Sequence, residues 1–151
     1  MIKWILKRKK QIFLIILVPT MCFSFFIYSE TNKKIVPTND IHNIEINATT
    51  LLESNTTITG EVELAPLESV ALSTPTLVND ILYITTMKKL SIFPKNTLKV
   101  DLNQLDNLAN VDKIILIGGN FYSNTGKYMG ISMNEFKNIN DQKIIWEKLT
   151  R

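Results

Sequence analysis

The chain has 151 residues, with 17 Lys and Arg against 14 Asp and Glu, for a formal charge of +3 at pH 7. Lys3, Lys7, Arg8, Lys9 and Lys10 put five positive charges and no acid into the first eleven residues, so the remainder carries 12 minus 14, a net of −2. Basicity confined to one end excludes a broad nucleic-acid footprint, and one Cys with one His excludes a disulfide framework, a Cys/His metal cage and Cys/His catalysis.

Between Gln11 and Ser29 no residue is charged, and Ile12 to Ser29 is an almost wholly apolar run of 18 residues. A helix that crosses a bilayer needs roughly 17–25 such residues. The pattern predicts a transmembrane helix over 12–29 acting as a signal-anchor, behind a cytoplasmic basic segment over 1–11. Trp4 and Tyr28 suit the two headgroup levels, and Pro19 suggests a kink. The five basic residues form the topology signal: by the positive-inside rule they hold the N-terminus in the cytoplasm. The expected location is the cell membrane, single-pass, with the C-terminal domain extracytoplasmic. The alternative is a cleaved secretory signal, cut after Ser24 or Ser29, although no Ala precedes Ala48. Cys22 reads as an unpaired apolar cysteine within the run.

Residues 30–43 are polar, contain Pro37 and read as a linker; the lone His42 falls there, without packed surroundings to tune it as a base. Residues 44–151 form the expected extracytoplasmic domain. Its first part is Thr-rich β structure: residues 57–64 alternate as a half-buried strand, with Ile44 to Ile46 as a shorter partner. Glu61 and Glu63 then share one solvated face. Pro66 and Pro75 bracket a loop.

The apolar runs Ile81 to Thr86 and Lys113 to Ile117 read as strands covered on both faces, as in a parallel sheet, with Thr97 to Val100 as a third strand. Asp101 is placed to cap a helix bearing Leu102, Leu105 and Leu108, which makes a βαβ unit. Residues 134–149 form a second helix candidate, with Asp141 starting its firmer part and Ile144, Ile145, Trp146 and Leu149 buried. The expected fold class is α/β: an N-terminal transmembrane helix, then a small α/β domain with a βαβ unit and a Thr-rich β segment before it.

Gly118-Gly119, directly after a buried strand, is the most pointed candidate for a ligand loop, together with Asn120, Tyr122, Ser123 and Asn124. Glycines there let the backbone turn tightly and approach a ligand. The continuation satisfies neither phosphate-cradle spacing, so a structural turn is the competing reading. No serine elbow or calcium-loop pattern occurs. No catalytic residue, metal or cofactor is assigned.

The strand Ile81 to Thr86, the Leu-spaced segment and the strand ending in Gly118-Gly119 resemble the second half of a type 2 cell-wall-binding repeat of Gram-positive surface proteins, over residues 81–119. The resemblance implies a small α/β unit that binds anionic wall polymers. The Ile, Lys and Asn bias, with few Gly and Ala, fits an AT-rich bacterial genome. Function is accordingly expected to be non-enzymatic: a bacterial membrane-anchored protein with an extracytoplasmic binding or assembly domain. Its partners would be the lipid bilayer and another envelope protein or a cell-wall polymer. The alternatives are a secreted wall-associated binding protein and a small extracytoplasmic enzyme using the Gly118-Gly119 loop.

Overall fold

A computed structural model describes residues 2–48, 52–119 and 139–148, with side chains from Ile15 onward. The chain divides into two units, Met1–Asn32 and Lys33–Arg151.

The first unit is one helix, α1 (Ile2–Thr31), which runs through Pro19. Proline lacks the amide that would bond four residues back. At the next residue the helix gains a side-chain bond, the Thr20 hydroxyl donating to the Ile16 carbonyl at 2.8 Å. The helix stops at Asn32, whose backbone amide and Nδ2 both donate to the Tyr28 carbonyl, at 3.0 and 2.9 Å. Ile15, Ile16, Val18, Met21, Phe23, Phe26 and Tyr28 are all exposed.

Among the described residues no helix is long and apolar enough to cross a membrane, which overturns the transmembrane and signal-anchor reading of 12–29.

The second unit is β-rich and replaces the expected α/β domain. Its larger sheet has five strands: β1 (Lys34–Ile35), β4 (Glu68–Val78), β5 (Ile81–Leu90), β7 (Lys113–Ile117) and β8 (Gln142–Glu147). β4 and β5 form a long antiparallel hairpin turned at Asn79, which takes the left-handed conformation with φ 54° that Asn tolerates better than most residues. β7 lies parallel to β5 from Ile81↔Lys113 to Thr85↔Ile117, as the continuous apolar runs lead one to expect. β1 pairs with the far end of β5, and β8 pairs antiparallel with β7. The smaller sheet is antiparallel, in the order β2 (Ile41–Ile46), β3 (Thr57–Val62), β6 (Thr97–Asp101). Two short 3-10 turns, η1 (Thr38–Asp40) and η2 (Leu108–Asn110), complete the elements.

Four sequence expectations need correction here. No helix joins β5 to β7 among the described residues: the connection passes through β6 in the other sheet and then η2, so the βαβ unit is absent. The three-residue spacing of Leu102, Leu105 and Leu108 reflects tight turns, with Leu105 N donating to Leu102 O and Val111 N to Leu108 O, both at 3.1 Å. Asn107, at φ 62°, blocks a continuous helix, yet Leu102 and Leu108 are buried as the pattern required.

The second helix candidate is strand β8 over 142–147. Its Ile144-Ile145-Trp146 stretch is β-branched and aromatic, which suits a pleated surface, but Ile144 is exposed and Ile145 and Trp146 are only half-buried, not the buried stripe expected; residues 134–138 and 149 lie outside the described residues. The bracketed loop between Pro66 and Pro75 is largely strand β4. Proline is accommodated at position 75 because β4's ladder pairing is to β5 alone. Finally, residues 34–43, read as linker, supply β1, η1 and the start of β2.

One apolar cluster joins the two sheets. Ile58 and Val62 of β3, Leu98 and Val100 of β6, Leu82 and Ile84 of β5 and Ile114 and Leu116 of β7 are buried in it. Their even spacing, i, i+2 or i, i+4, puts each pair on one face of its strand. Tyr83, Ile115 and Ile117 face the other way into a second cluster with Val78, so β5 and β7 are buried on both faces. That double burial explains why their sequences read as unbroken apolar runs.

Candidate functional site

The turn that follows β7 begins at Gly118, which is buried. Its amide donates to the Asp141 carbonyl at 2.9 Å. The Asp141 carboxylate reaches across to η1: Oδ2 accepts from the Thr38 amide at 3.1 Å, and Oδ1 accepts a short bond from the Thr38 hydroxyl. Thr38 is itself buried. A Cβ at Gly118 would collide with Asp141 Oδ2 and the Thr38 amide, and would lie 2.9 Å from Asp141 Cγ.

Gly118 is therefore glycine because the Asp141 carboxylate and the Thr38 backbone occupy the space a side chain would need. Gly119 is glycine for a different reason: its φ of +93° is a backbone conformation that side chains rarely adopt. The structure brings Gly118 and Gly119 together with Thr38 and Asp141, a clasp of three hydrogen bonds that ties the segment after β1 to the entry of β8. Asn120, Tyr122, Ser123 and Asn124 lie outside the described residues.

Sequence reasoning missed both partners in this clasp, having assigned Asp141 to a helix start and Thr38 to a linker. A carboxylate with both oxygens engaged by one threonine is a structural acceptor, with its hydrogen-bonding capacity directed inward. The approach to Gly118 that a ligand would need is filled by the protein's own side chain.

The other charged groups form exposed or half-buried pairs. His42 Nε2 lies 3.7 Å from Glu63 Oε2 with both side chains largely exposed. Asn43 Nδ2 donates to Glu61 Oε2 at 2.8 Å, and Lys99 Nζ is 3.2 Å from Asp101 Oδ2. Glu68 and Lys88 make the most enclosed pair, at 2.8 Å with each side chain under one-fifth exposed. Burial pushes the Glu68 carboxyl up, but the bonds from Lys88 and the Ala65 amide, with the charges of Lys88 and Lys34, outweigh it and hold the pKa below 4.5. Lys113 is held above its ordinary value, chiefly by its hydrogen bond to Glu147.

Among the described residues no three His, Cys, Asp or Glu side chains are grouped to hold a metal. The topology-signal residues Lys3, Lys7, Arg8, Lys9 and Lys10 all lie within α1, with side chains outside the description. No protein-family model matches the sequence, and neither a curated protein nor a solved structure matches it at a level that would indicate kinship.

Proposed function

We propose that this chain works at a bacterial membrane surface as a binding or assembly protein, with α1 lying against lipid and the β-rich unit meeting another envelope component. The observation that carries the reading is α1. Ile15, Ile16, Leu17, Val18, Met21, Phe23, Phe26 and Ile27 are exposed along one helix. At about 100° per residue they surround it instead of forming a single stripe, and a helix apolar on all sides belongs in an apolar environment. The turn at Gly118 itself offers no ligand cradle, because Asp141 and Thr38 fill the space beside it.

Fractionation of cells producing the full chain tests this. The reading expects the intact 151-residue mass in the membrane fraction. A mature mass short of about 24 or 29 residues, recovered from the wall or the medium, would support the secreted wall-associated alternative.

A further inference from the structure

β4 takes one edge of β5 along its whole length, so β7 and β1 share the other. β7 covers Ile81 to Thr85 and β1 covers Met87 and Lys88. Between them the Val36 amide donates to the Thr86 carbonyl at 2.9 Å. Residues 34–38 thus lie as a strap over the stretch of β5 edge that β7 does not reach.

Few groups hold the strap. Lys34 and Ile35 pair in register with β5, Pro37 has no amide to give, and the Thr38 amide and hydroxyl both donate to Asp141. Val36 is fully buried in the core that joins the two sheets. A two-residue pairing at the start of a folded unit belongs to the low end of local stability, whereas Leu82 and Ile84, paired on both sides, belong to the high end.

An opened strap leaves a specific vacancy: the strand edge from Thr86 to Lys88, a gap in the core the size of a valine, and the Asp141 carboxylate beyond it. The segment that fills this vacancy is extended, with valine followed two residues later by a hydroxyl. Val36-Pro37-Thr38 of a second copy of the chain has that pattern and restores every contact the strap makes. Exchange of an identical element between copies costs little, because the contacts are the same in both arrangements.

We infer that residues 34–38 are a releasable strap, and that the β5 edge beneath them is an interface at which two copies of this chain exchange straps. The inference lies wholly within the β-rich unit and does not rest on the membrane reading of α1.

Residue-resolved amide exchange of the full chain in increasing urea tests release. The Val36 and Thr38 amides are expected to exchange roughly tenfold or more faster than those of Leu82 and Ile84, with little dependence on urea below the unfolding transition. Equal rates with the same urea dependence would mean that the strap opens only when the whole unit unfolds, and would overturn the inference.

Exchange between copies is tested by mixing two full chains, both with Cys22→Ser, one carrying Ile35→Cys and the other Met87→Cys, which are partners in the register. Mild oxidation is expected to give a covalent dimer, and none when Asp80→Cys takes the place of Met87→Cys. Thr38→Val removes the hydroxyl bond to Asp141 while keeping the shape of the strap. It should speed dimer formation roughly tenfold or more, the usual contribution of a bond to a charged group. An excess of a peptide with the sequence of residues 33–40 should suppress the dimer. No dimer from the Ile35 and Met87 pair, or as much from the Asp80 control, would overturn the exchange.

Discussion

Replacing Gly118 by alanine separates two accounts of why glycine stands there. Gly118 has no positive φ, so in open space the change would stabilise the protein by roughly 0.4–1 kcal/mol through the unfolded chain. In this fold the new methyl meets Asp141 and the Thr38 amide. Two costs follow: overpacking of about 1–3 kcal/mol, and loss of a charge-assisted hydrogen bond to Asp141, about 1.5–3 kcal/mol. Moving the carboxylate relieves only part of the collision, because the Thr38 amide still meets the new methyl, so the expected net cost is about 2–5 kcal/mol.

Urea unfolding followed at Trp146, in a Trp4→Phe background, reads this directly. The same substitution in an Asp141→Ala background should cost less, since the carboxylate that meets the methyl and its hydrogen bond are gone, but should remain destabilising because the Thr38 backbone still collides with the methyl. A neutral or stabilising Gly118→Ala, or an equal cost in both backgrounds, would refute the clasp.

Further outcomes follow from the same structure. Gly119→Ala meets only ordinary contacts, the nearest Asp141 Cβ at 3.5 Å, so its cost should come from backbone conformation, about 1–2 kcal/mol, and should not change in the Asp141→Ala background. Ile84→Ala, at a fully buried position in the shared core, should cost about 2–5 kcal/mol in the same urea assay. Glu68 has a folded pKa below 4.5, so its stabilising contribution is present above that value and is lost as pH falls through the lower folded value. Glu68→Gln should therefore flatten the acid limb of a stability–pH curve and leave its slope above pH 6 unchanged. Glu147→Gln removes an exposed partner of Lys113 and should leave the urea midpoint unchanged within error.

Strand identity was readable wherever burial had one simple period. Thr57 to Val62 alternates because one face of β3 packs on the core, and Ile81 to Thr86 and Lys113 to Ile117 are continuous because both faces are covered. Even the parallel pairing of β5 with β7 was visible in that continuity. The connections were not legible. A three-residue leucine spacing serves a helix and a series of 3-10-type turns equally well, and Asn107 in the left-handed conformation decided between them.

Residues 142–147 mislead for a related reason: a short apolar cluster carries no period of its own, and only its pairing with β7 makes it a strand. Pro75 suggested a loop because proline is excluded from central strands, and the position of β4 beyond β5 removed that objection. In the candidate site both glycines were found, but their role depended on Thr38 and Asp141, which lie about a hundred residues apart in sequence. No local pattern links them.

The central claim, that the exposed apolar surface of α1 belongs against lipid, is tested most directly by photo-crosslinking from within that surface. With photoreactive side chains at Ile16 and Phe26 in cells producing the full chain, lipid adducts are expected at both positions, with none from the same probe at Asp80. Protein-only adducts at Ile16 and Phe26, or no adducts under conditions where a control membrane protein labels, would contradict it.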